Sequence, residues 1–170
     1  MPEGRGALEL YFLRHGIAVE RGTPGYENDA DRPLTAEGES RTRDIARGIR
    51  ATKASFGRIL SSPYLRARQT AEIVAAETGI KIEFTRSLTP EGSPERLIQE
   101  IASEADRGVL LVGHEPYLTD LISVLIAGNP GTLIELKKGG LGKVTAESLS
   151  YGKCATLNWL LAPKLLRNIR

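Results

Sequence analysis

Short apolar runs alternate with longer segments of helical periodicity along most of this chain. The strand candidates cover residues 8–13, 58–61, 81–84, 109–112 and 155–161, the last being one of several β-prone pieces between glycines in 132–161. The run at 109–112 is apolar throughout, which is typical of a strand buried on both faces. Strands that alternate with helices predict a mostly parallel sheet with helices on both faces. We therefore expect a three-layer α/β domain.

The starts of three helices can be recognised from their capping residues. Thr35 is an N-cap candidate, and acidic residues follow it in what would be the first helical turn. The serine–proline pairs at 62–63 and 93–94 each supply an N-cap and a proline at the first helical position. We expect the second helix to end at Gly79, where glycine favours termination, and the third to end near residue 104.

Length and composition restrict the classes of protein that this chain can represent. Its 170 residues fit a single domain over 1–170, with a frayed end at 1–6. A net charge of +2 and an aromatic content of 5% favour neither coating of nucleic acid nor base stacking. No apolar stretch is long enough to span a membrane. Cys154 is the only cysteine, so no internal disulfide can form and we expect a reducing, cytoplasmic location.

Charged and titratable residues follow three of the strand candidates. Arg14 and His15 come directly after the first, and His114 comes one residue after the strand at 109–112. Arg66 lies near the start of the helix that follows residues 58–61. Ligands of open α/β sheets bind outside the carboxyl ends of the strands. We therefore expect these four side chains to converge on one binding site.

His15 and His114 are the only two histidines of the chain. A histidine at a strand end can simply satisfy backbone groups, but two such histidines, one preceded by arginine, favour a functional role. Two histidines are too few for a metal site, and no carboxylates or cysteines accompany them at ligand spacing. Glu115 adjoins His114, but neighbouring residues on a turn rarely chelate one ion. The sequence therefore predicts a site without metal or cofactor.

Arg66 carries a positive charge at the positive end of its predicted helix, which is electrostatically unfavourable unless an anion binds there. Arg68 follows two positions later, on another side of the helix, so we do not expect it to share the site. Two arginines and two histidines together suit a phosphoryl group, whose oxygens accept charge-assisted hydrogen bonds. The sequence therefore predicts phosphate binding.

Three motifs occur in a fixed order: Arg14-His15-Gly16, the SSPYLRARQT segment at residues 61–70, and residues 112–116, which read VGHEP. The segment 32–35, RPLT, opens the first long helix. With these motifs the chain resembles the histidine phosphatase superfamily, and within it the short SixA-type phosphohistidine phosphatases. The resemblance covers residues 8–161. It implies a fold like that of the phosphoglycerate mutases.

The resemblance also implies a mechanism. His15 would attack phosphorus and become phosphorylated, while Arg14, Arg66 and His114 would line the phosphate pocket, with no metal ion. One ring nitrogen of His15 must then be unprotonated and the other held, for example by a backbone carbonyl. We expect the flanking arginines to disfavour protonation of His15, and a bound phosphate dianion to favour protonation of His114.

The resemblance leaves the substrate open. The leading hypothesis, which follows from the SixA-type resemblance, is phosphohistidine on a partner protein. Residues 17–20 read IAVE, unlike sugar-phosphate members of the family, so we do not expect a phosphoglycerate mutase. A small-molecule phosphomonoesterase with the same core is the alternative, and a non-catalytic module that binds phosphorylated partners is a third possibility. An ester needs a general acid, for which Glu115 and Glu91 are candidates. Three further basic residues have no assigned role: Arg21, Arg32 and Lys138.

Overall fold

The computed structural model describes residues 6–104 and 107–169. The strands of the described part are β1 (Leu8–Arg14), β2 (Arg58–Ser61), β3 (Ile82–Phe84), β4 (Gly108–Gly113), β5 (Leu141–Ala146) and β6 (Ala155–Leu161). The helices are α1 (Ala36–Ala51), α2 (Leu65–Thr78), α3 (Pro94–Ala102), α4 (Tyr117–Ala127) and α5 (Pro163–Leu166), with short 3-10 turns at Asp29–Asp31 and Arg86–Leu88. No helix in these ranges is long and apolar enough to cross a membrane.

The six strands form one sheet in the order β3-β2-β4-β1-β5-β6. The pairs β3–β2, β2–β4 and β4–β1 are parallel, whereas β5 and β6 are added in antiparallel orientation. Because β1, β2 and β4 are parallel neighbours, the segments that follow their carboxyl ends meet at one edge of the sheet. The prediction of a mostly parallel sheet is confirmed.

Alternating side chains of β1 contribute to two separate cores. Leu10 and Phe12 pack with residues of α3 and α4 on one face of the sheet. Tyr11 and Leu13 pack with residues of α1, α2 and α5 on the other face. Every residue of β4 is buried, which explains its uninterrupted apolar sequence. Helices therefore cover both faces, as the three-layer prediction requires.

Two of the predicted helix starts are confirmed. Thr35 accepts a hydrogen bond from the backbone N–H of Gly38, and Ser93 accepts one from Arg96. Gly79 ends α2 in the left-handed conformation, with φ of 75°. The end of α3 lies at Ala102, slightly before the predicted position. The prediction of a frayed N-terminus lies outside the described residues except at Gly6.

The predicted start of α2 is wrong by two residues. Pro63 is not helical, Tyr64 is the N-cap residue and the helix begins at Leu65. The hydroxyl of Ser62 accepts the backbone N–H of Tyr64 and contacts the ring of His114. Ser62 therefore shapes a turn ahead of the helix, and this turn places Arg66 second in α2.

Candidate active site

His15 follows β1 directly, and its side chain is held in one orientation. Its backbone N–H donates to the carbonyl of Gly113, at 3.0 Å, so the residue stays attached to β4. Nδ1 of the buried ring lies 2.7 Å from the carbonyl oxygen of Gly16. A carbonyl only accepts, so Nδ1 carries a proton and Nε2 has the free lone pair. This arrangement is the one that a histidine nucleophile needs.

Arg66 lies beside Nε2, the unprotonated ring nitrogen of His15. Its Nε is 3.3 Å from Nε2 of His15, and its side chain is only 2% exposed. The two terminal nitrogens bind Asp29, with Nη1 2.7 Å from the backbone oxygen and Nη2 3.0 Å from Oδ2. The aromatic ring of Tyr64 lies under the guanidinium, 5.4 Å from Cζ. These contacts with Asp29 and Tyr64 hold the guanidinium of Arg66 beside the imidazole of His15.

Asp29 is a site residue that the sequence did not single out. Arg32 donates to Oδ1 of Asp29 at 2.9 Å, and Arg21 donates to the same oxygen at 3.1 Å. Burial alone would raise the pKa of Asp29, but the hydrogen bond from Arg32 and the charge of Arg66 lower it to about 2. Arg21 and Arg32 therefore act on the site through Asp29, which carries a full negative charge at neutral pH.

His114 follows β4 and packs against the nucleophile candidate. The ring centroids of His114 and His15 are 5.3 Å apart, and His114 is only 1% exposed. Its Nε2 lies 2.8 Å from the hydroxyl of Ser62. Its Nδ1 is buried and has no hydrogen-bond partner among the residues that the structure describes. An unpaired buried nitrogen is costly, so this atom is suited to bind a ligand.

Arg14 is the last residue of β1 and is half-buried beside the two histidines. Its Nη1 donates to the backbone oxygen of Leu136 at 3.1 Å, while its Nε is buried without a partner in the described part of the chain. Burial lowers the pKa of Arg14, and the nearby carboxylate of Glu115 opposes this effect. Arg14 therefore keeps an N–H group available at the site.

The pKa values of both histidines are lowered in this structure. Burial lowers the pKa of His15 well below its usual value, the hydrogen bond to Gly16 opposes this, and the charges of His114, Arg66 and Arg14 add to the decrease. Burial and then Arg66 lower the pKa of His114 to about 3. The predicted direction for His15 is confirmed. The prediction for His114 concerned a bound phosphate dianion and stays a prediction.

The two acid candidates have different surroundings. Glu115 is half-buried, its Oε2 accepts the hydroxyl of Thr119, and its Oε1 is buried without a partner in the described residues. Burial raises the pKa of Glu115. Glu91 is exposed and accepts the hydroxyl of Tyr64 at 3.2 Å. Burial therefore favours the protonated form of Glu115.

The other basic candidates lie away from this cluster. Arg68 forms an ion pair with Glu72 at 2.8 Å. This agrees with the prediction that Arg68 does not share the site. Lys138 lines a separate cavity beside Gly16. Among the residues described, no group of three or more histidine, cysteine or carboxylate side chains is arranged to hold a metal ion.

The comparison with known proteins supports this picture. Residues 10–89, which include Arg14, His15 and Arg66, match the histidine phosphatase superfamily, branch 1. An uncharacterised protein of Picosynechococcus is 41% identical over 138 residues, which are 79% of this chain and 82% of that protein. This chain belongs to the histidine phosphatase superfamily. As a member of this superfamily, it is a phosphatase.

Relatives named SixA extend the comparison to nearly the whole chain. The phosphohistidine phosphatase SixA of Escherichia coli K12 is 28% identical over 161 residues, covering 92% of this chain and 94% of that protein. A structure of the protein histidine phosphatase SixA complexed with tungstate superposes with a TM-score of 0.77 at 28% identity, covering 92% of this chain and 98% of that one. The predicted phosphoglycerate mutase-like fold is confirmed.

Proposed function

We propose that this histidine phosphatase hydrolyses phosphohistidine on a partner protein through a covalent intermediate on His15. The observation that carries the proposal is the orientation of the His15 ring. Nδ1 donates to Gly16, and the unprotonated Nε2 accepts a hydrogen bond from Nε of Arg66 at 3.3 Å, a contact that attack on phosphorus would replace. A neutral imidazole with one fixed N–H is ready to attack phosphorus, and the lowered pKa of His15 keeps it neutral.

The reaction has two displacement steps at phosphorus. Nε2 of His15 forms a bond to phosphorus while the bond from phosphorus to the substrate imidazole breaks. The substrate ring, protonated from solvent at its other nitrogen, leaves as neutral imidazole, and His15 keeps the proton on Nδ1. Water then attacks phosphorus and releases inorganic phosphate, which leaves His15 neutral. Arg14, Arg66 and Nδ1 of His114 are placed to bind the phosphoryl oxygens in both steps. Removal of one such preorganised donor typically lowers the rate by about 100- to 1000-fold.

Metal independence is part of the proposal, because the guanidiniums of Arg14 and Arg66 supply the positive charge that phosphoryl transfer requires. Arg14 is held by its hydrogen bond to the backbone oxygen of Leu136, and Arg66 is held by its two hydrogen bonds to Asp29. Activity that survives complete removal of divalent metal ions by a chelator supports this part. We also propose a cytoplasmic location, consistent with the single cysteine, Cys154.

The SixA relatives and the leaving group favour phosphohistidine as the substrate. An imidazole leaves phosphorus with little help from a general acid, whereas an alkoxide requires a proton. SixA also forms a complex with tungstate, an oxyanion. In this chain Arg66 and His114 both lie against the ring of His15, so the three side chains form one candidate site for such an anion.

A small-molecule phosphomonoesterase is the second candidate, and the environment of Glu115 favours it. A carboxyl group with a raised pKa and an unpartnered oxygen is a candidate proton donor to an ester. For an esterase, Glu115→Gln lowers ester turnover by at least about 100-fold. For a phosphohistidine phosphatase, the same variant leaves turnover of a phosphohistidine peptide nearly unchanged. Glu91→Gln tests the other acid candidate in the same assay, and for an esterase one of the two replacements lowers ester turnover.

Trapping of the covalent intermediate tests the proposal. Brief incubation with a protein or peptide carrying radiolabelled phosphohistidine, followed by quenching in alkali, leaves label on the wild-type enzyme. The label is lost in acid, as expected for a phosphorus–nitrogen bond, and maps to His15. The His15→Ala variant acquires no label. A His15→Ala variant with full turnover contradicts the proposal, and binding without turnover in the wild type supports a non-catalytic module instead.

A further inference from the structure

A second cavity lies beside the turn that follows His15. It has a volume of about 160 Å³ and lies between the residues after β1, helix α1 and helix α5. Its lining includes Gly16, Ile17, Arg41, Lys138, Lys164 and Arg167. His15, Arg66 and His114 do not line it, so it is separate from the proposed catalytic site.

The residues that line this cavity carry a net positive charge. Four of its lining residues are cationic, and none is acidic. Arg41 is joined to Glu37 in an ion pair. Lys138 and Lys164 have no ion pair within residues 6–104 and 107–169. A cluster of cations without carboxylates is unfavourable unless an anion or solvent ions balance it.

Besides its positive charge, Arg167 has a buried hydrogen-bond donor. Its Nε is buried and has no hydrogen-bond partner in the described part of the chain. A buried N–H group without a partner loses the free energy of its bonds to water, so such groups are rare. An oxyanion in the cavity beside Arg167 offers the missing acceptor.

A neighbouring cavity provides a contrast. It has a volume of about 620 Å³ and also borders Arg167, but its lining includes the carboxylate of Asp44. Arg47 pairs with Asp44 at 3.0 Å, and Arg50 pairs with Glu77 at 3.1 Å. The small cavity has no acidic residue in its lining, and three of its cations, Lys138, Lys164 and Arg167, have no ion pair among the described residues.

The walls of the small cavity also support the nucleophile candidate. The carbonyl of Gly16 holds Nδ1 of His15. Gly139, next to Lys138, donates its backbone N–H to the carbonyls of Arg14 and His15 at 3.0 and 3.2 Å. A ligand in the cavity therefore contacts the segments that fix the position of His15.

From these observations we infer a second oxyanion-binding site, formed by Lys138, Lys164, Arg167 and Arg41, that takes one phosphate or carboxylate group. The volume corresponds to roughly five water molecules at about 30 Å³ each, which is enough for one such group. The group can come from a free oxyanion such as inorganic phosphate. It can also come from an acidic side chain of the phosphorylated protein, and this second source rests on the proposed function.

Calorimetric titration with inorganic phosphate tests the site directly. The double variant Lys138→Ala/Lys164→Ala removes two exposed cations and is expected to fold. The matched control, Lys137→Ala/Lys153→Ala, removes two exposed lysines that do not line the cavity. We expect the wild type and the control to bind one more phosphate than the cavity variant, or to bind it at least about tenfold more tightly. This difference does not depend on whether the catalytic site binds phosphate.

The turnover of two phosphohistidine peptides identifies the source of the oxyanion. One peptide has aspartate and glutamate beside the phosphohistidine, and the other has asparagine and glutamine. If the occupant is a substrate carboxylate, the cavity variant loses about tenfold in kcat/KM for the acidic peptide alone. If the occupant is a free oxyanion, both peptides respond equally while phosphate binding is still weakened. Phosphate binding and peptide preference that both match the control overturn the inference.

Discussion

The hydroxyl of Ser62 lies 2.8 Å from Nε2 of His114 and also accepts the backbone N–H of Tyr64, at 3.2 Å. A hydroxyl has one proton to donate, and its only acceptor among the described contacts is Nε2 of His114. A neutral histidine that accepts at Nε2 carries its proton on Nδ1. Nδ1 is the buried atom without a partner among the described residues, so its N–H is available to donate to a bound phosphoryl oxygen.

The first prediction concerns the loss of this hydroxyl. Ser62→Ala frees the ring of His114 to change tautomer and orientation, so we expect kcat/KM to fall by roughly 10- to 100-fold. Nitrogen chemical shifts of the His114 ring should change from a single protonated Nδ1 to a mixture. Ser61→Ala is the matched control, because Ser61 is equally buried but donates only to a backbone carbonyl. Equal losses in the two variants would falsify the tautomer assignment.

The second prediction concerns the charge of Asp29. Because the carboxylate binds Arg66 at 3.0 Å, it competes electrostatically with any phosphoryl group on the same guanidinium. Asp29→Asn keeps an oxygen at this position but removes the charge, so inorganic phosphate should inhibit about tenfold more strongly. The pKa of Asp29 is about 2, so its carboxylate stays charged from pH 5 to pH 8, and the effect should persist over this range.

Asp31→Asn is the control for this experiment. Asp31 lies on the same 3-10 turn, is exposed, and accepts only the side chain of Asn28 among the described hydrogen bonds. We expect its inhibition by phosphate to equal that of the wild type. Unchanged or weaker inhibition in Asp29→Asn would show that Asp29 only orients Arg66. A lower kcat in the same variant indicates that orientation contributes as well.

The third prediction concerns the pH dependence of stability. The folded pKa of His114 is about 3, below the usual value of an exposed histidine near 6.5. As pH falls below about 6.5, the unfolded chain binds a proton at this residue and the folded chain does not. The free energy of unfolding should therefore decrease, by up to about 1.4 kcal/mol per pH unit for this residue, until the pH approaches 3.

Two measurements check this prediction. Imidazole resonances of His15 and His114 are the only histidine signals of the chain, and neither should show a midpoint between pH 6 and 7. Denaturant unfolding between pH 6 and 4 should be less steeply dependent on pH in His114→Gln than in the wild type. A histidine midpoint near 6.5 in the folded protein contradicts the lowered pKa values.

The sequence was sufficient to predict a mostly parallel sheet, helices on both of its faces, and strands whose carboxyl ends meet at one edge. These features follow from apolar periodicity and from capping residues, which are local signals. The prediction of where Arg66 would lie also succeeded in outline, although α2 begins later than its serine–proline pair indicated. The difference arises because Ser62 contacts His114, a residue that is distant in sequence.

Asp29 could not be identified in the same way. It lies in a polar stretch with several other carboxylates, and composition alone does not distinguish them. Its role depends on the tertiary position of the 3-10 turn, which brings Asp29 to Arg66 across 37 residues of sequence. The pKa of His114 without bound phosphate could not be predicted for a related reason, because the extent of its burial is a property of the folded molecule.

The last prediction concerns Gly16, whose carbonyl fixes Nδ1 of His15. A Cβ atom added here would overlap Oγ1 of Thr42 and press on the side chain of Leu34. Thr42 cannot move away easily, because it is buried, stiff at its first side-chain torsion and bonded to the carbonyl of Gly38 at 2.6 Å. We expect Gly16→Ala to destabilise the protein by about 1–3 kcal/mol and to lower kcat through displacement of the carbonyl.

A double-mutant cycle separates this overlap from a general effect of the substitution. Thr42→Ala removes the obstructing oxygen, so the double variant Gly16→Ala/Thr42→Ala should be more stable than the sum of the two single changes predicts. Denaturant unfolding gives the coupling energy, and kcat measured on the same samples reports the position of His15. Additive losses of stability would mean that Gly16 is needed for another reason, such as its backbone conformation, and not for the space beside Thr42.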